Sequence, residues 1–333
     1  MRLNNNILYF LILSFLFIGV GYFQSWNVSL SILNLCLISA IMALGVNIQW
    51  GYAGLFNVGI MGFAALGGLA AVLVSMPPVE GAWSIGGWGV ISGLMVSVVT
   101  IFIAIFVYKK LSKGKTRSVV IILICILGYY FTQILYGPAS KAIEGINPAT
   151  SGYLGGFGLP IVLSWPVGGV FAGVAAWFIG KITLGLRSDY LAIATLGISE
   201  IIIAILKHED WMTRGVKNVI GIPRPVPYEV DLQTSEWFLN LANTLGTDPV
   251  SFSSIYVKIC YAGLFLTMLL IVLWLSETAL KSPWGRMMRA IRDNEVSANA
   301  MGKNVTKRHL QVFVLGSVVV GIAGAMLTTL DGQ

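Results

Sequence analysis

A chain of 333 residues that is 56% hydrophobic and only 11% charged is too apolar for a water-soluble domain, which is normally about a quarter charged. A net charge of +7 would suit a nucleic-acid partner, but the cations cluster in short loops between apolar runs. That pattern excludes nucleic acid and points to a chain that crosses a membrane many times.

The first apolar run, Ile7 to Phe23 behind Arg2, shows no small-x-small cleavage site, so it reads as a retained span rather than a signal peptide. No charged side chain occurs from Leu3 to Val79. Hydropathy predicts nine spans, at about 7–23, 28–46, 53–75, 87–108, 118–136, 160–180, 190–206, 255–276 and 310–329. Each is close to the ~20 residues a helix needs to cross ~30 Å of hydrocarbon. The expected fold is an all-α polytopic membrane protein, one transmembrane domain over residues 1–333.

The loops set the orientation. Loop 109–117 carries Lys109, Lys110, Lys113, Lys115 and Arg117 without an acid, and loop 181–189 carries Lys181 and Arg187 against Asp189. Loop 277–309 holds seven Lys and Arg residues against Glu277, Asp293 and Glu295. Even numbers of spans separate these loops, so the positive-inside rule places all three, and the N-terminus, in the cytoplasm. The long opposite loop, 207–254, has four cations against six acids.

Several residues carry candidate chemistry. Glycines recur at Gly51, Gly54, Gly59, Gly62, Gly67 and Gly68, which suits either tight helix packing or a helix broken beside a transport path. Glu200 lies within the run DYLAIATLGISEIIIAILK, where an ionised acid costs about 2.5–3.5 kcal/mol. It reads either as part of a solute or proton path or as an interhelical hydrogen-bond partner. Lys258 is expected to snorkel to the external interface. Cys36, Cys125 and Cys260 fall in apolar runs and read as buried small hydrophobes, with no C-x-x-C pair to suggest zinc or a disulfide framework. Gly114-Lys115-Thr116 resembles the end of a P-loop, but Lys109 stands where the first glycine belongs, so no ATP site is expected. His208 and His309 fall at opposite faces and cannot share a metal or a catalytic pair. No enzymatic motif appears.

The stretch SPWGRMMRAIRDNEVSANAMGKNV, residues 282–305, stands apart from the greasy sequence around it. Ser282 can cap a helix, Pro283 suits its first turn, and Gly302 suits its end. Trp284, Met287, Met288, Ile291 and Ala298 fall on one side of this predicted 19-residue cytoplasmic helix. Arg289–Asp293 and Arg292–Glu295 are spaced to pair along it. Such a helix would lie on anionic lipid or dock a soluble partner.

Three motifs carry a family resemblance. SPWGRMMRAIRDNEVSANAMGKNVTKRHL closely resembles the cytoplasmic coupling loop of LivM-type branched-chain amino acid ABC transporter permeases. WGYAGLFNVGIMGFAALGG, residues 50–68, matches the family pattern at Gly51, Gly54, Gly59, Phe63 and Gly67. It departs at Asn57, where Ser is usual, and at Ile60, where His is usual. SDYLAIATLGISEIII and TRGVKNVIGIPRP match at Tyr190, Ala192, Thr195, Leu196, Gly197, Glu200, Thr213, Gly215, Gly221, Ile222 and Pro223. Arg214 replaces the usual Gly. The resemblance covers about residues 28–328, with 109–159 as an apparent insertion.

That resemblance implies a permease domain in a bacterial inner membrane and no enzymatic activity of its own. It implies a second permease subunit, two ATP-binding-cassette ATPases that hold ATP-Mg, and a periplasmic solute-binding protein; no cofactor is expected on this chain. Family members usually continue through another pair of spans, so a C-terminal truncation is expected. The implied ATPase-coupling helix comprises Trp284, Arg286, Met288, Arg289, Ile291, Arg292, Glu295, Ala298 and Gly302, with an apolar ridge that fits an ATPase groove. Gly51, Gly54, Gly59, Thr195, Gly197 and Glu200 are the candidate solute path. The rival readings are a permease for urea or short amides, a proton-coupled transporter that uses Glu200, and a membrane enzyme or scaffold.

Overall fold

The computed structural model describes residues 5–112, 114–147 and 152–332, and the regular structure among them is helical. Arg2 and Lys113 lie outside the described residues. The first helices are α1 (Asn5–Phe23), α2 (Trp26–Asn47), α3 (Ile60–Ser75), α4 (Glu80–Ala82), α5 (Trp88–Lys110), α6 (Lys115–Glu144), α7 (Ser164–Thr183) and α8 (Ser188–His208). Then come α9 (Asp210–Thr213), α10 (Glu229–Thr234), α11 (Glu236–Thr244), α12 (Pro249–Lys281), α13 (Pro283–Asp293), α14 (Glu295–Ala300) and α15 (Val305–Asp331).

Where nine spans are predicted, seven helices among the described residues are long and apolar enough to cross a membrane. The other two predicted spans are shorter, at Leu8–Phe23 and Ile60–Ser75. The predicted span 53–75 is cut short because its first residues, 54–59, leave the helical path. The predicted loop 207–254 holds α9, α10 and α11. Cys36 and Cys125 are exposed rather than buried, because the outward faces of these spans are apolar too.

The backbone divides into two compact units. The first comprises Met1–Val74, Pro160–Ile203 and Ile222–Gly332, and α15 is its hub. Of its membrane-length stretch 56% is buried, the largest share among the seven. Small residues make this possible, since lipid gives helices no hydrophobic reason to associate and only close approach yields good contact. A Cβ on Gly45 would collide with the Gly316 carbonyl, one on Gly67 with Gly321, and one on Gly324 with Ala64. Phe63 meets Phe313 edge-to-face at 5.8 Å. Lys258 is tied to the first turns of α2, its Nζ donating to the Asn27 carbonyl at 3.1 Å and to Ser31 Oγ at 2.7 Å.

The second unit, Ser75–Leu159 with Ala204–Gly221, is built on the pair α5 and α6. Gly93 packs on Tyr136 and Gly128 on Thr100. The outer faces carry bare apolar side chains, and the most apolar stretches of the two spans are only 11% and 0% buried. At one end Leu154 straps the unit together: its carbonyl accepts from Val79 N at 3.1 Å and Trp83 Nε1 at 3.0 Å, and its N–H donates to Trp211 O at 2.9 Å. Trp211 Nε1 donates to the Tyr136 hydroxyl oxygen at 2.6 Å and to Glu209 Oε2 at 2.7 Å, and the Tyr136 hydroxyl donates to Glu209. Burial pushes the Tyr153 hydroxyl above its ordinary pKa, and Arg214 opposes that shift. Arg214 itself sits at φ +59°, a left-handed conformation that glycine adopts without strain.

Candidate functional site

The site grows from the way α2 ends. After Asn47 the chain takes one wide π-helical turn, Ile48–Tyr52, and at Gly54 it turns through φ +71°. A side chain would strain that backbone, which is the physical reason for a glycine there. Regular helix resumes only at Ile60. Bonds from Gly54 N to Trp50 O (3.1 Å) and from Leu55 N to Gln49 O (3.0 Å) close the last turn.

An irregular segment packed between helices needs partners for its free backbone groups. Gln49, only 2% exposed, is the hub that supplies them. Its Nε2 donates to the Phe313 carbonyl at 2.9 Å and to Ser317 Oγ at 3.0 Å. Its Oε1 accepts from Asn57 Nδ2 at 2.8 Å, and Asn57 Oδ1 in turn accepts from Gly59 N at 2.9 Å. α8 completes the shell: Thr195 Oγ1 accepts from Val58 N at 3.2 Å, and Ser199 Oγ accepts from Gly62 N at 2.8 Å. Gly59 is obligatory, since a Cβ would strike the Thr195 carbonyl.

Of the predicted path residues, Gly51, Gly54, Gly59 and Thr195 therefore meet at the break. Gly197 and Glu200 do not join them. Both lie on the outward face of α8, with Ile193 and Leu196, opposite the buried Thr195 and Ser199. Sequence reasoning missed Gln49, Ser199 and Ser317. A lone amide in an apolar run was the only available hint of Gln49.

The charged stretch differs from expectation in three ways. It forms two helices rather than one, because Asn294 adopts an extended conformation (φ −155°, ψ 98°) and caps α14, its Oδ1 accepting from Ser297 N at 2.9 Å. That kink separates Arg292 from Glu295, and Arg292 instead donates to the Gly51 carbonyl. This is a fitting partner, since the last carbonyls of a helix lack intrahelical donors and favour a cation. Thirdly, the apolar ridge faces inward. Met288 and Ile291 are 0% and 1% exposed and belong to the unit's own core, with Trp284, Met287 and Ala298 packed against it. The outward face presents Arg286, Arg289, Ala290 and Asp293 on α13 and Glu295 and Val296 on α14, with Met301 and Gly302 following.

The geometry defines a helical membrane protein in which an irregular segment, residues 54–59, joins α2 to α3 beside a charged, surface-lying pair of helices. Comparison places it further. The family described as branched-chain amino acid transport system / permease component matches residues 145–332, more than half of the chain, and the protein belongs to that family. A similar protein is the probable branched-chain amino acid transport permease protein LivM of Methanocaldococcus jannaschii, 32% identical over 66 residues. That match spans 20% of this chain and only 19% of the relative's length. No solved structure matches.

Proposed function

We propose that this chain is a LivM-type permease subunit of an ATP-binding-cassette importer for branched-chain and other apolar amino acids in a bacterial inner membrane. It works beside a second permease, with two ATPases on its cytoplasmic loops and a solute-binding protein outside. The observation that carries this reading is the family match over residues 145–332, and the Arg292–Gly51 hydrogen bond, which ties the surface helix α13 to the end of α2, suggests how coupling would run. An ATPase would grip the outward face of α13 and α14, where Arg286, Arg289, Val296 and Met301 are exposed. Its closure would tilt α13, and the buried Met288 and Ile291 would carry the core with it. Arg292 would pull on the last turn of α2, and the hydrogen bonds that hold residues 54–59 through Gln49, Asn57 and Thr195 would shift with it, freeing backbone groups to meet a zwitterionic solute.

The test uses the assembled transporter in proteoliposomes. Arg292→Ala should lower amino-acid uptake about tenfold while ATP hydrolysis persists, since a lost link of this kind carries a coupling energy of a few kcal/mol. Arg292→Lys should restore part of the uptake. Uptake that stays normal in Arg292→Ala would rule this link out, and uptake that survives ATP depletion would favour a proton-coupled transporter.

A further inference from the structure

Three neighbouring cavities of the first unit share walls and lie along one forked groove. The middle one, of about 560 Å³, is walled by Trp177, Trp284, Val314 and Leu315 and closed at one end by Lys307 and Arg308. Through Trp177 and Val314 it continues into a furrow of about 460 Å³ beside Val170, Val174 and Phe178 on α7. Through Trp284 and Leu315 it continues into another, of about 370 Å³, between α12 and α15, bounded by Met268, Ile271 and Leu275. One basic head thus serves two apolar arms.

The head is more cationic than its lining alone suggests. α7 and α15 run antiparallel, Gly168 lying against Ala325 and Gly180 against Leu310, so the C-terminal end of α7 meets the start of α15. Lys181 Nζ sits 3.5 Å from the centre of the Trp177 ring, at the same end as Lys307 and Arg308. Gln311 Oε1 accepts from Arg308 Nη1 at 3.0 Å and from Trp284 Nε1 at 3.3 Å, which fixes two walls of the head. Among the described residues no aspartate or glutamate lines any of the three cavities.

The arms match one leaflet in depth. From Leu280 to Met268 the α12 arm runs twelve residues, about 18 Å at 1.5 Å per residue. Half of the hydrocarbon thickness is ~15 Å. Tryptophans at the mouth and a basic pocket between spans are the features that hold a lipid headgroup at an interface.

We propose that this groove is a binding site for an anionic phospholipid. Lys181, Lys307 and Arg308 surround its phosphate, and the two arms take its two acyl chains. A cation close to anionic lipid is worth about 1 kcal/mol, or roughly fivefold in affinity. Three such cations should select a charged headgroup clearly over a zwitterionic one.

The experiment uses the full chain, delipidated in detergent and titrated with phosphatidylglycerol or phosphatidylcholine carrying brominated acyl chains. Quenching of tryptophan fluorescence is the readout, and the difference from Trp177→Phe isolates this groove. Phosphatidylglycerol should quench at a concentration at least about fivefold lower than phosphatidylcholine. The double variant Lys307→Gln with Arg308→Gln should bring the two lipids to near parity. Val174→Phe, which fills an exposed wall and changes neither a cation nor a tryptophan, should weaken phosphatidylglycerol binding independently. Circular dichroism and gel filtration verify that each variant is folded. Equal midpoints for the two lipids, or a preference that survives loss of the cations, would overturn the proposal. Competition by excess inorganic phosphate would also overturn it and assign the head to a soluble anion. Displacement of the lipid by a co-purified permease chain would make the groove a protein interface instead.

Discussion

α15 and α6 are both of membrane length and both meet their neighbours through glycine or its partners, yet one is enclosed and the other almost bare. The stretch of α15 is 56% buried, that of α6 0%. Small residues alone do not explain the contrast, since Gly128 sits as tightly on Thr100 as Gly45 does on Gly316. What differs is the depth of the polar contacts: Gln49 is bonded to Phe313 and Ser317 inside the core, whereas the bonds of α6, Thr132 to Ser97 and Tyr136 to Glu209 and Trp211, are only partly buried. In an apolar solvent, close approach brings helices together, whereas directed hydrogen bonds select which helices gather and in what register.

That contrast can be broken by substitution. The largest expected effect is Gly316→Val, because the new Cβ would lie about 2.5 Å from Gln49 Cγ and 2.6 Å from the Gly45 carbonyl. A loss of about 3 kcal/mol in unfolding free energy is expected, measured by detergent denaturation. Gln49→Leu should cost about 2 kcal/mol, since it leaves the Asn57 amide buried without its acceptor. Gly128→Ala should cost only about 1 kcal/mol: Thr100 Cβ, 2.8 Å from the new methyl, cannot turn away, but the α5–α6 pair is bare on its outer faces and can move apart. If it costs as much as Gly316→Val, the distinction between enclosed and bare helices fails.

The smallest effect concerns pH. Asp248 caps α12, and bonds from the Ser251 N–H and hydroxyl hold its carboxyl below the usual carboxylate range. A pKa lowered by folding adds stability above the unfolded value, and that contribution disappears as pH falls through the folded value. Melting temperature followed through the acid range should therefore depend less on pH in Asp248→Asn than in the parent chain.

Much of this architecture was legible in hydropathy, which located the seven long spans because lipid demands continuous apolar helix. The glycine spacing from Gly51 to Gly68 pointed to the close packing that Gly59 and Gly62 make on α8 and Gly67 makes on α15. The Gln49 network was hidden, because its partner Phe313 is 264 residues away and a single amide has no period. The inward turn of Met288 and Ile291 was hidden for a different reason. An amphipathic pattern marks an apolar side without saying whether the chain's own core or another molecule covers it. Asn294, in turn, divided a helix that spacing alone had treated as continuous.

The position of Arg292 along α13 has a mechanical consequence. It lies nine residues beyond Pro283, about 14 Å along a rigid arm pivoted where α12 ends. A tilt of roughly 10° would swing its guanidinium by about 2 Å, more than a hydrogen bond tolerates. On the coupling proposed above, a small rotation at the surface would be read at Gly51 as engaged or released, and the arm would work as a latch more than a spring.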